Sequence, residues 1–467
     1  MIRIMIIGAG PAGIACAHTL AGAGEPSLVI EKQDSPGGLC RTINFGGYFF
    51  DIGGHRFLSK SDEINSLWQR VMNGQMLLVK RLSRIYYKKL FFNYPLSFFN
   101  TFGNLGPSES FLCIASYLKC KLFKPGNDST FEGYIINRFG KRLYDIFFKT
   151  YTEKVWATPC KDISANWARQ RLCGLSLRVA LEKALVKKKR NLPKTLSGEF
   201  LYPKRGPGEF YSRLEKLALS GGARFEYDKF IRGIEHDGER VRSVEVLNCR
   251  ENRKDQMPVD YLFSSMALPV LIESLRPLPP GNVIAAARKL RFRNFLVVNL
   301  ILNRQDLFPD QWLYIHSPQV RLGRIQNYKN WSPDMVSDSK KTTLGLEYFC
   351  GQDDFLWKMN DIDLIHYAVR ELQAIGIEAQ KYLINGFVVR CPMVYPIYSL
   401  DYQKNLGVIK AYLSRFSNLK TMGRAGLFRY DNSDHALLTG IYAARNFLGQ
   451  GLHDIWAVNT DPVYLEA

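Results

Sequence analysis

The stretch "IMIIGAGPAGIACAHTL", residues 4–20, limits what this chain can fold into more than any other. Ile4 to Ile7 are apolar and fit a strand buried on both faces. Gly8, Gly10 and Gly13 then give G-x-G-x-x-G. The first glycine permits a sharp turn, the second lets backbone approach a pyrophosphate, and the third lets the next helix close on the strand. That helix presents unpaired N–H groups and a positive dipole end to phosphates. A second strand, Leu28-Val29-Ile30, ends at Glu31, an acid placed to bond ribose hydroxyls. Strand, turn, helix and acid in this order predict an α/β domain that holds a dinucleotide.

The next residues choose between dinucleotides. "EKQDSPGGLCRT" carries Gly37-Gly38 and Arg41. This resembles the second glycine doublet of the flavin-dependent amine oxidase superfamily, where the doublet lies along the FAD pyrophosphate and the flavin. The resemblance implies FAD, with Arg41 facing phosphates or flavin. Near the other end, "MGRAGLFRYDNSDHALLTGIYAARN" has Gly423 and Gly426 ahead of a helix expected from about Ala436. A glycine turn opening a helix is again an anion-binding arrangement. The two ends of the chain are therefore expected to build one Rossmann-type FAD domain, with the middle inserted.

A chain of 467 residues exceeds one hydrophobic core. The expected architecture is α/β with α+β insertions. Residues 1–75, 196–283 and 401–467 form the FAD domain, 76–195 a helical substrate domain, and 284–400 a sheet-based substrate domain. Residues 62–190 read as mostly helical, and 200–270 as the rest of the FAD sheet. Nine scattered cysteines without a C-x-x-C pair point to free thiols and a reducing compartment. The histidines show no ligand spacing, so no metal is expected. No stretch approaches a transmembrane helix, and the strand at Ile4 leaves no room for a signal peptide ahead of it. A cytoplasmic protein is expected. The net charge of +20 fits an anionic small-molecule substrate or peripheral contact with an anionic membrane. No nucleic-acid-reading module accompanies it. The densest cluster, Lys187 to Arg190, reads as a basic loop.

Several longer motifs resemble those of UDP-galactopyranose mutase, nearer its eukaryotic form. They are "DIGGHRFLS", "NYPL", "KVWATPCKDISANWARQR", "GRIQNYKNWSP", "VYPIY" and "GRAGLFRYDNSDH". The resemblance implies that Gly54 and His55 lie beside the isoalloxazine and that Tyr94 contacts the nucleotide. It implies Trp156 and Arg171 in the substrate cleft, Arg324 on the diphosphate, and Trp331, Tyr395 and Tyr430 along the substrate. It places Gly423, Arg424, Asn432, Asp434 and His435 near the flavin. Arginine suits a diphosphate because its planar fork stays charged and bonds two oxygens at once. Three positions depart from the family pattern: Trp331 for a tyrosine, Ser433 for a glutamine and Ser97 for a glutamine. They touch the nucleotide and sugar pockets, not the FAD fingerprint.

The function implied is pyranose–furanose isomerisation of a nucleotide-linked sugar through N5 of reduced flavin, for surface polysaccharide. The reductant expected is NADPH or a partner redox protein. The alternative is an FAD-dependent oxidoreductase of the amine oxidase or protoporphyrinogen oxidase type, which shares the fingerprint and the inserted-domain layout.

Overall fold

The computed structural model describes residues 3–172 and 198–459. The basic cluster Lys187 to Arg190 lies outside the described residues. Strand Ile4–Ile7 sits at the centre of a five-stranded parallel sheet. It pairs with Ser27–Ile30 on one side and Tyr261–Ser264 on the other. Arg224–Glu226 and Leu419–Thr421 form the edges. Segments from the beginning, middle and end of the chain thus share one sheet, as the sequence implied.

Two helices cover the glycine turn. Pro11–Gly22 starts at the turn with proline at its first position, where a missing N–H costs nothing. Ser433–Phe447 packs across it at very short range, because Gly440 has no side chain. A Cβ there would lie 2.0 Å from the Ala12 carbonyl oxygen.

The rest of residues 200–270 departs from expectation. Lys229–His236, Val241–Asn248 and Arg253–Pro258 join Leu275–Arg276 in a separate four-stranded sheet. The FAD sheet takes only Arg224–Glu226 and Tyr261–Ser264 from this region. A seven-stranded sheet is the largest among the described residues. Its order is Leu383–Pro396, Phe292–Leu302, Thr342–Cys350, Arg324–Asn327, Trp312–Ile315, Ser83–Tyr87 and Leu90–Asn93. Its last two strands belong to the segment expected to be helical. They form a hairpin that turns at Lys88 and Lys89, with φ of 49° and 65°. Strand Met76–Lys80 also falls in that segment and pairs with Glu199–Pro203.

The helical layer follows. It includes Phe98–Leu105, Pro107–Phe123, Phe131–Phe139, Thr150–Trp156 and Ala165–Leu172. A π-helical turn, Tyr144–Lys149, runs into Thr150–Trp156. Such a widened turn re-aims the side chains after it. Here it delivers Phe147, Phe148, Tyr151 and Thr152 to the central cavity. The eight described cysteines carry no disulfide, and seven are buried.

Candidate active site

Gly8 turns the chain at φ +96°, a conformation that side chains oppose. Gly10 faces Gly38: a Cβ on Gly38 would come 3.1 Å from the Gly10 Cα. A Cβ on Gly10 would meet nothing nearer than the Gly38 Cα at 4.0 Å. The two glycines bring two backbones into contact, and Gly10 forms part of the wall of a slot beside them. The Gly37 N–H donates to the Ala9 carbonyl at 2.8 Å and fixes their spacing.

Glu31 does more than the sequence implied. One carboxylate oxygen accepts the Ala9 N–H at 2.6 Å, the other the Gln33 N–H at 2.8 Å. It staples the glycine turn to the second strand. An ionised carboxylate has about four acceptor sites, so capacity for hydroxyl donors remains. Arg41 donates to Gln33 at 3.1 Å, and its Nε is buried without a partner.

From this slot a cavity of about 840 Å³ runs to the seven-stranded sheet. Gly10, Gly54, His55, Tyr94, Arg324, Trp331, Tyr395, Gly423, Arg424, Tyr430, Asn432 and Asp434 all line it. Residues from three separated stretches of sequence therefore meet in one cavity. Trp156 does not reach this cavity. It is 2% exposed and packs behind Tyr395 and Tyr430, with ring centroids 6.1 and 6.0 Å away. It lines a small adjoining pocket with Tyr151 and Arg324. Arg171 belongs to helix Ala165–Leu172, and its side chain lies outside the described residues.

Two arginines dominate the electrostatics. Arg324 Nε bonds the carboxylate of Glu347, and Nη2 donates to the Tyr395 hydroxyl at 2.9 Å. Burial opposes the Arg324 charge, but Glu347 and the surrounding tyrosines outweigh it and hold the guanidinium cationic. Glu347 is fully buried and also accepts from Gln326 at 2.9 Å. Burial pushes the Tyr395 hydroxyl up to about 12, with Arg324 opposing, so it stays protonated. Arg424 lies beside the stacked Tyr395 and Tyr430 rings, 4.7 and 4.2 Å from their centroids. It donates to the Val394 and Asp431 carbonyls at 2.9 and 3.2 Å. Its Nη2 is buried without a partner. A buried cationic donor left unpaired is costly, and it marks a place for an acceptor.

His55 is half-buried, and its Nδ1 has no partner. Burial, then Arg424 and Arg324, lower its pKa to about 4. It is a neutral imidazole at pH 7. Asn432 caps helix Ser433–Phe447: its side chain accepts the His435 backbone N–H, and its own N–H donates to His435 Nδ1 at 3.3 Å. Asp434, in the first helical turn, keeps one buried carboxylate oxygen without a partner.

Sequence reasoning missed Glu347. It is the one acid in the buried strand "TTLGLEYFC". A lone carboxylate in such a run demands a cation, and that signal was available. It also missed Asp51, just before Ile52-Gly53-Gly54. Asp51 accepts from Thr42 at 2.7 Å and from the Tyr202 hydroxyl. Burial raises its pKa to about 7 despite both bonds. The folded state then holds a proton that the unfolded chain releases near the ordinary value of 3.8. The stabilisation is full below that value and is lost as pH rises to about 7. Asp51→Asn should flatten the fall in melting temperature as pH rises from 3.8 to about 7, measured by thermal unfolding.

The glycine slot, the paired helices and the acid have the arrangement of a dinucleotide-binding domain. Residues 6–71 match a family model described as an NAD(P)-binding Rossmann-like domain. Over the whole chain the fold is that of UDP-galactopyranose mutase. The structure of that enzyme in reduced form superposes with a TM-score of 0.84 at 21% identity, covering 100% of this chain and 99% of that one. A redesigned putrescine oxidase superposes with a TM-score of 0.64 at 14% identity, covering 96% and 99%. Among curated sequences, all-trans-retinol 13,14-reductase of Danio rerio is 35% identical over 74 residues. That match covers 15% of this chain and only 12% of the reductase. Among the described residues no helix is long and apolar enough to cross a membrane.

Proposed function

We propose that this protein is an FAD-dependent enzyme of the mutase type, acting on a nucleotide-linked sugar. The observation that carries this reading is the junction of two sites in one cavity. The glycine slot meets a wall where Arg324, Tyr395, Arg424 and Tyr430 converge around His55. The slot suits a dinucleotide, because Gly10 and the first residues of helix Pro11–Gly22 face the cavity with backbone N–H groups at a helix start. The unpaired Asp434 oxygen and Arg424 Nη2 supply an acceptor and a donor to its polar parts. FAD, once reduced, would supply a nucleophilic N5 for displacement at the anomeric carbon.

The chain's own residues do the rest. Arg324 with the Tyr395 hydroxyl receives the diphosphate, whose charge grows as it leaves the sugar. Arg171 is proposed as a second cation on that group. Phe147, Phe148 and Tyr151 give the cavity flat aromatic faces for a base. Tyr94 stands on the rim, 4.6 Å from the Tyr314 ring. Neutral His55 provides a hydrogen bond beside the flavin without adding charge. The role in surface polysaccharide synthesis follows from the same reading, as does a cytoplasmic site with NADPH as reductant.

The test is an anaerobic comparison of dithionite-reduced and oxidised protein on UDP-, GDP- and dTDP-sugars, with products separated by chromatography. An isomer of equal mass formed only by the reduced protein is expected. The likeness in fold to putrescine oxidase favours one second reading, a true oxidoreductase. No isomer from any sugar, with substrate-dependent oxygen uptake, would select it.

A further inference from the structure

Helix Pro107–Phe123 has two apolar faces. Cys113, Tyr117 and Cys120 face the protein and are buried. On the opposite side Phe111, Ile114, Leu118 and Leu122 are 71, 39, 55 and 78% exposed. Steps of three and four residues place these four on one stripe. One apolar face suffices to seat a helix on a protein. A second, exposed along the helix, marks an interaction surface.

The charges beside the stripe say what it meets. At roughly 100° per residue, Lys119 lies on one flank of the stripe and Lys121 on the other. Both are exposed, as is Lys124 just past the helix end. Lys88 and Lys89 are exposed in the hairpin turn, and Lys88 acts on Glu109 together with Arg142. Glu109 is the helix's only carboxylate, and Arg142 donates to it at 2.8 Å. The face therefore offers an apolar ridge between cations, with its one acid already paired.

We propose that this face docks on an anionic phospholipid surface, with the helix lying in the plane of the interface. The apolar ridge enters the acyl boundary, and the lysines bend outward to the headgroups. A second copy of the chain fits less well. A two-fold contact through this ridge would bring the flanking lysines of both copies together with no free acid on the helix to receive them. Phe99, on the preceding helix, is 70% exposed and also lines the central cavity.

Flotation of the flavin-loaded full chain with phospholipid vesicles tests this. One set is phosphatidylcholine alone, the other about one-third phosphatidylglycerol. Binding is expected only with the anionic set, and it should fade in high salt. F111S/L118S/L122S should lower the partition coefficient by at least about tenfold with no loss of melting temperature. K119E/K121E should lower it by a similar factor. Absence of binding to anionic vesicles, or equal binding by all three proteins, would overturn the proposal. So would a concentration-dependent dimer in light scattering that the triple serine variant abolishes, since the ridge would then belong to a second copy.

Discussion

Arg324→Ala is expected to lower kcat/KM by about two to three orders of magnitude while flavin content stays unchanged. The size follows from losing a preorganised donor to developing charge, worth about 3–4 kcal/mol in a water-poor site. Flavin content should hold because Arg324 comes from the seven-stranded sheet, not from the glycine slot. The variant should also be less stable. Glu347 is fully buried and loses its cation, and an abandoned buried charge costs about 3–5 kcal/mol. The two effects separate in a double variant, Arg324→Met with Glu347→Gln. That pair removes both charges, so stability should return while activity does not. Recovery of activity along with stability would show that Arg324 serves only to neutralise Glu347. Arg324→Lys should recover little, because one ammonium cannot bond Glu347, Tyr395 and a diphosphate in the fork geometry seen here.

Gly13→Ala should cost the protein its flavin and about 3 kcal/mol or more of stability. The added Cβ would lie 1.8 Å from the Gly8 carbonyl oxygen and 3.0 Å from its carbon. Both atoms are backbone inside the turn that forms the slot, so neither rotates aside. The helix must move off the strand, and the slot opens with it. Gly22→Ala is the control. It ends the same helix and has nothing within 4 Å of a new Cβ. It should be neutral, or stabilising by up to about 1 kcal/mol. Flavin absorbance of the purified proteins and their thermal unfolding report both outcomes. Full flavin occupancy in Gly13→Ala would remove the slot from the cofactor site.

The cofactor slot was legible because its chemistry is local. Gly8, Gly10, Gly13 and Glu31 fall within one strand–helix–strand unit, and each glycine meets a backbone constraint set by near neighbours. The cavity wall opposite the glycine turn was legible only through long motifs, since Arg324, Tyr395 and Arg424 come together across three separate elements. Glu347 escaped because its partner is paired across strands, with Arg324 opposite it in register. No spacing rule along one strand shows that pairing. The hairpin Ser83–Asn93 escaped for a different reason. Its turn adopts positive φ at two lysines, where reverse turns of this kind usually carry glycine or asparagine. Without that signal its apolar residues merged with the helices that follow. Trp156 shows the limit of motif reading. The motif located it beside the site, while packing against Trp167, Tyr395 and Tyr430 made it a buttress.

The five-stranded sheet has a consequence for how the protein is made. Its central strand emerges from the ribosome first, yet its edge strand Leu419–Thr421 and the helix Ser433–Phe447 come some four hundred residues later. A nascent chain of half this length holds the glycine turn but not the helix that closes over it. The seven-stranded sheet, whose strands run from Ser83 to Pro396, can assemble earlier. Flavin capture is then a late event in biosynthesis, and the partly made chain must wait with an open nucleotide slot. Synthesis in riboflavin-starved cells should therefore yield a folded seven-stranded sheet beside a five-stranded sheet that is still sensitive to protease.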